Sequence, residues 1–274
     1  MTYSPSDRIN SIGASDLPIL LGLSPYASAT PWSIVHRVQR PDTPEQALGR
    51  GLETWLVERI GCSAASSEVF RREGWAHATP DGLIWGGCVC ESWSTGCKCP
   101  PAVVIEAKSV SRFMCRDWGD GVPPYVYAQV QWQMWVTGAL RGVVSALVAG
   151  EYQKHDLERD ENFIKKAVSV AHEFWAGLQL GQDPPLDASR ACGAALRARL
   201  APVAEAEPIP ATAFQESEWA SIQEFRASAK SFEEEARLRA AGLLQSMPGP
   251  LLLQGGLELR STSQGLRTRK APRA

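Results

Sequence analysis

Glu106 and Lys108 end an apolar run, Ala102-Val103-Val104-Ile105-Glu106-Ala107-Lys108, and Asp81 stands upstream in Thr79-Pro80-Asp81-Gly82. Val103, Val104 and Ile105 are β-branched and apolar, the composition of a buried strand. Side chains alternate across a strand, so Glu106 and Lys108 share one face. Burying either charge unpaired is strongly unfavourable. The plain alternative is a strand end that frays into solvent and leaves both charges wet. Asp81, before Gly82 at a strand turn, favours the first reading. Two carboxylates at adjacent strand ends suit a hard divalent cation such as Mg²⁺, which takes carboxylate oxygens and keeps several waters. Such a cation polarises a phosphodiester and lowers the pKa of its bound water. Lys108 beside it can hold or deprotonate that water. Glu53, on a helix that carries Gly49 and Gly51, adds a further carboxylate, and Gln129 an amide.

Positioning these groups requires a mixed α/β core. Hydrophobic periodicity predicts helices near 16–21, 30–39, 45–60, 125–137 and 161–180. It predicts strands near 69–70, 75–79, 83–85, 102–108, 143–148 and 152–157. The core therefore spans residues 1–185, interrupted by a Gly-, Cys-, Ser- and Pro-rich finger at 86–101. Residues 186–212, rich in Pro and Ala, read as a linker. Residues 213–274 follow as a long helix, a hairpin around Gly255-Gly256 and a basic tail. The helix carries Trp219, Ile222, Phe225, Ala229 and Phe232 as an apolar stripe.

Bulk composition narrows the class. Hydrophobic content of 44% and charged content of 21% are those of a globular protein with a real core. Net charge is −2, so nucleic-acid binding has no global basic signature and must rest on local charge. No apolar run is long enough to span a membrane, and the N-terminus lacks a basic stretch followed by an apolar core. A cytoplasmic protein without a membrane partner is expected. Four of the seven cysteines cluster, which in a cytosolic chain favours a metal over disulfides.

Taken together, these motifs resemble the PD-(D/E)XK nuclease superfamily, and within it the YqaJ-type viral recombinase and phage lambda exonuclease branch. Pro80-Asp81-Gly82 is similar to the branch's Pro-Asp-Gly element, and Glu106-Ala107-Lys108 to its Glu-x-Lys element. Tyr127-Ala128-Gln129-Val130-Gln131-Trp132-Gln133-Met134-Trp135 resembles its Gln-rich helix. Gly49-Arg50-Gly51-Leu52-Glu53 and Ile12-Gly13-Ala14-Ser15-Asp16 are similar to its helical and N-terminal elements. Any one of these is weak evidence; five in the same order are specific.

The resemblance implies a restriction-endonuclease-like core, a central mixed β-sheet flanked by helices, with a C-terminal helical extension. It implies a metal-dependent exonuclease that degrades linear double-stranded DNA 5′→3′ and leaves 3′ overhangs for phage-type recombination. In that reading Asp81, Glu106 and Glu53 hold Mg²⁺ or Mn²⁺, Lys108 activates the water and Gln129 positions it. Arg8, Ser15 and Gln133 fall among the expected DNA-binding residues. Implied partners are double-stranded DNA ends, a single-strand annealing recombinase and further copies of the chain in a ring. Two other classes stay open: a catalytically silent DNA-end-binding module, and an endonuclease or iron–sulfur nuclease of the same superfamily.

The finger departs from the family. Cys88, Cys90, Cys97 and Cys99 form two Cys-x-Cys pairs, able to give four thiolates to a structural Zn²⁺. An iron–sulfur cluster and a loop of reduced thiols are the alternatives. The tail after Glu258 carries Arg260, Arg267, Arg269, Lys270 and Arg273 without an acid. It is either solvated or a DNA-contacting arm.

Overall fold

The structure is a computed structural model that describes residues 11–35, 41–61, 66, 68–86, 100–200, 210–247, 249–253, 257–262 and 265–270. Arg8, Arg273 and the cysteines Cys62, Cys88, Cys90, Cys97 and Cys99 lie outside these residues. The chain divides into two compact units, Met1–Ala204 and Glu205–Ala274. Among the described residues no helix is long and apolar enough to cross a membrane.

The first unit is built on a four-stranded sheet. Strands β3 (Gly82–Ile84), β4 (Val103–Val110), β5 (Arg141–Val148) and β6 (Glu151–Glu158) lie side by side in that order. β4 and β5 are parallel, and the two outer pairs are antiparallel. A parallel pair needs a crossover, and helix α4 (Pro124–Thr137) supplies it. Glycine fits the helix end because Gly138 takes the left-handed conformation, with φ of 84°. Helix α3 (Pro44–Glu58) opens on a capping box in which Thr43 and Gln46 satisfy each other's backbone N–H groups.

The sheet is covered on both faces, the restriction-endonuclease-like arrangement expected from the sequence. Val104, Val144 and Ala146 pack with Val126, Val130 and Met134 of α4. On the other face Val57 of α3 meets Ile105 and Gly82, and Ser145 donates its hydroxyl to the Leu56 carbonyl at 2.7 Å. The far side of α4 is apolar as well. Ala128, Trp132 and Trp135 join Trp75 and helix α5 (Glu161–Gln179) in a second core cluster. A helix apolar on all sides is a buried helix. The cluster also takes in the hairpin of β1 (Phe70–Arg72) and β2 (Ala76–Ala78), and helix α1 (Leu17–Leu20). Helix α2 (Pro31–Val35) brings in Trp32, fully buried, whose indole N–H donates to the Pro185 carbonyl at 2.8 Å.

One expectation of the sequence is corrected here. Within the presumed linker, Arg190–Leu200 is a helix, α6. Its Cys192 and Ala195 are buried against Trp32. Alanine is the best helix former, so the Pro-free, Ala-rich part of this stretch folds once it has an apolar surface to cover.

In the second unit helix α7 runs from Ala213 to Ser246, starts on a Thr212–Gln215 capping box and buries none of its residues. Its apolar stripe is present and exposed: Trp219, Ile222, Phe225 and Phe232. Strands β7 (Leu251–Leu253), β8 (Leu257–Thr262) and β9 (Gly265–Lys270) form an antiparallel sheet. Part of the basic tail is thus a third strand rather than a free arm.

Candidate active site

Strand β4 carries the centre of the site. Alternation puts Val104, Glu106 and Lys108 on the face that α4 covers. Glu106 is 2% exposed. Gln129 donates its side-chain amide to Glu106 Oε1 at 2.6 Å, and Gln133 donates to Oε2 at 2.5 Å. The Lys108 ammonium lies 2.5 Å from Oε1 and also donates to Gln129 Oε1 at 3.1 Å. Gln129 is therefore fixed at both ends, its NH₂ on the carboxylate and its carbonyl on the lysine. Gln129 and Gln133 stand one turn apart on α4, which is why both reach the same carboxylate.

Asp81 arrives from the end of β3. That strand pairs with β4 only from Gly82↔Ile105 to Ile84↔Val103. Pro80 has no N–H with which to continue the ladder. The Asp81 carboxylate instead accepts the Ala107 N–H at 2.7 Å, and the Asp81 N–H donates to the Ile105 carbonyl at 3.0 Å. The side chain thereby substitutes for a missing strand partner beside Glu106. Gly82 next to it has no room for a side chain, since a Cβ there lies 2.7 Å from Val57 Cγ1.

The electrostatics follow from this crowding. Burial, followed by the negative charge of Glu106, pushes the Asp81 carboxyl well above its ordinary range, against the pull of Lys108 and the Ala107 N–H. Glu53, half-buried on α3, is raised by burial and then by the charge of Glu106, against the pull of Arg50, Asp81 and Lys108. Burial works against the Lys108 ammonium, but Glu106 and Asp81 outweigh it, and the net shift is upward. Lys108 is a firmly protonated cation in this setting.

Among the described residues no three His, Cys, Asp or Glu side chains are gathered as a ready-made ion cage. The donor set nevertheless fits a hard divalent cation. Glu53, Asp81 and Glu106 act on one another electrostatically beside Lys108, and burial, followed by the charge of Glu106, raises both Glu53 and Asp81. A carboxylate offers about four lone-pair sites. Glu106 uses three of them, on Gln129, Gln133 and Lys108, which leaves Oε2 able to accept one more partner.

A cleft of about 800 Å³ opens beside Lys108 and Gln129. Ser15, Tyr26, Leu48, Tyr125 and Arg112 also line it. The structure thus brings Glu53, Asp81, Glu106, Lys108 and Gln129 together and sets Ser15 on the wall of the same cleft. It does not place Gln133 at a DNA surface. Gln133 is 1% exposed and holds Glu106 from inside the core. Arg112 and Tyr125 are lining residues that the sequence did not single out.

The sequence model of the YqaJ-like viral recombinase domain matches residues 6–140, the stretch that holds every residue of this site. The resemblance read from the motifs is thus shown over those residues. The fold around the YqaJ-like domain is also that of LHK-Exo solved in complex with dAMP, at 18% identity and a TM-score of 0.50 over 72% of this chain and 96% of that one. A second structure of LHK-Exo, an alkaline exonuclease from Laribacter hongkongensis, gives 18% identity and a TM-score of 0.49 over 73% and 97%. A phage-related exonuclease from Haemophilus somnus is similar at 11% identity and a TM-score of 0.41 over 62% and 96%. No curated protein matches the chain in sequence.

Proposed function

We propose that this chain is a metal-dependent exonuclease that digests linear double-stranded DNA from its 5′ ends and leaves 3′ overhangs for homologous recombination. The observation that carries the reading is the meeting of Asp81, Glu106, Lys108 and Gln129 at one open end of the β3–β4 pair, inside a YqaJ-like domain. The LHK-Exo structure with dAMP supports a cleft that takes a nucleotide.

Asp81, Glu106 and Glu53 hold Mg²⁺ or Mn²⁺ in this proposal. When bound, such a cation supplies a Lewis acid for the phosphodiester and an acidified water. Gln129 and Gln133 keep the Glu106 carboxylate in one orientation, so that its remaining lone pair has a fixed direction. Lys108, kept protonated by Glu106 and Asp81, serves as a hydrogen-bond donor that orients the attacking water and stabilises negative charge developing on the phosphate. That role differs from proton abstraction, which needs the neutral amine. Ser15, Arg112 and Tyr125 offer polar contacts to the DNA end entering the cleft.

The test is digestion of end-labelled linear duplex with Mg²⁺ or with EDTA. Wild type degrades 5′ ends only with the metal, and Lys108→Ala does not. Cleavage of closed circular DNA overturns the exonuclease in favour of an endonuclease. Binding of DNA ends without cleavage under any divalent metal leaves a silent end-binding module.

A further inference from the structure

We propose that the C-terminal sheet binds nucleic-acid phosphates through Arg260 and Arg267, a contact that rests on the nuclease reading and adds a second DNA surface to it. β8 and β9 pair with Arg260 opposite Arg267, and Glu258 opposite Arg269. Alternate residues share a face, so by register positions 252, 258, 260, 267 and 269 (Leu252, Glu258, Arg260, Arg267 and Arg269) fall on one side of the sheet. Leu257, Leu259 and Leu266 belong to the other side, where Leu259 is buried. Leu259 packs on that other side, and neither Arg260 nor Arg267 takes part in it.

Like charges directly opposite each other destabilise a strand pair. Arg260 has Glu258 as a counter-ion at 2.6 Å, whereas Arg267, exposed, makes no ion pair among the described residues. By register this side thus sets one carboxylate against three arginine positions, 260, 267 and 269, and the excess is positive. The sequence reinforces the segregation. Residues 205–258 hold nine acidic and four basic residues, whereas 259–274 hold five basic residues and no acid. A guanidinium pair on a rigid strand ladder suits phosphate oxygens, which it meets with two parallel N–H donors. With the chain's proposed substrate a polyanion, the partner is the DNA backbone, contacted without regard to sequence.

The experiment is fluorescence anisotropy of labelled duplex DNA with the full chain in EDTA, across a salt series. Replacing both residues (Arg260→Ser with Arg267→Ser) is expected to reduce the slope of log K against log salt by about 1.8, roughly 0.9 per lost phosphate contact. A matched pair, Arg237→Ser with Arg239→Ser on α7, keeps the wild-type slope, and Arg260→Lys with Arg267→Lys retains most of it. Circular dichroism of the serine pair matches wild type, because the leucine face is untouched. An unchanged slope in the serine pair overturns this inference while leaving the nuclease reading intact. An equal loss in the α7 pair overturns it too, by assigning the effect to bulk charge. Failure of wild type to bind DNA in any salt overturns the nuclease reading itself.

Discussion

Gln133 donates its amide to Oε2 of Glu106 at 2.5 Å, while its own carbonyl oxygen, Oε1, is buried without a hydrogen-bond partner among the described residues. A buried orphan acceptor costs about 1–3 kcal/mol. The side chain is therefore a poor choice for stability and a good one for holding a carboxylate. Gln133→Leu removes the donor and the orphan together. Because that donor is the partner of Oε2 on the buried Glu106 carboxylate, the variant is expected to lose about 1–3 kcal/mol of stability, with cleavage slowed at least about tenfold, of the order of one lost orienting hydrogen bond. Urea melts and the end-labelled assay measure the two; full activity in the leucine variant rules out an orienting role.

Asp81 gives the opposite balance. Its carboxyl is raised by burial and by Glu106. A carboxyl whose folded pKa exceeds its unfolded value contributes stability at low pH and loses it as pH rises through the folded value. Charged Asp81 therefore weakens the metal-free fold at neutral pH. Asp81→Asn keeps an oxygen for the Ala107 N–H and removes the charge. It should abolish cleavage and raise Tm at pH 8 by a few degrees, about 2–4 °C for each kcal/mol. The gain should shrink at pH 5 as the wild-type carboxyl takes up its proton. Calorimetry at both pH values checks this, and a lower Tm for the asparagine variant at pH 8 contradicts it.

Adding the cation should relieve the same strain. A ligand that binds only the folded chain stabilises it by about 2.7 kcal/mol at a hundredfold excess over Kd. Saturating Mg²⁺ or Mn²⁺ is expected to raise the wild-type Tm, EDTA to reverse the gain, and Glu106→Gln to lose it. Because burial and the charge of Glu106 raise both Glu53 and Asp81, binding should also release protons. Titration calorimetry in buffers of different ionisation enthalpy reads that release directly. A wild-type melting curve indifferent to both metals rejects the proposed ligand set.

At Gly82 the argument is steric. A methyl group there meets Val57 Cγ1 at 2.7 Å and Ile105 Cδ1 at 3.2 Å. Gly82→Ala is expected to destabilise by about 1–3 kcal/mol and to lower activity by displacing Asp81. Adding Val57→Ala should restore part of both, as measured by urea denaturation and cleavage rate. No coupling between the two substitutions refutes the contact.

Much of this site was legible in sequence because each residue stood beside a strong local signal. Strand alternation joined Glu106 to Lys108, a Pro-Asp-Gly turn marked Asp81, and two glycines marked the helix of Glu53. Gln133 was found but sent to the wrong place. The helix that carries it is apolar on every side, so its periodicity does not say which face meets the sheet. α6 was hidden by a composition that also suits linkers, and only Trp32 gives it a surface to fold on. β9 was hidden by arginines, whose charge obscured a period-two pattern. The cleft-lining Arg112 and Tyr125 lie in or beside irregular chain, where spacing predicts little.

The β3–β4 hairpin is closed on both sides of its register. Val103 pairs with Ile84, and the Ala102 N–H donates to the Ile84 carbonyl at 2.9 Å. Whatever the chain does between 87 and 99, the two carboxylates are already tied together below it. Closing a loop costs only about 0.6 kcal/mol more for each doubling of its length. The spacing of Asp81 and Glu106 is therefore set by the paired residues 82–84 and 103–105 themselves and tolerates a change in the length of chain between them.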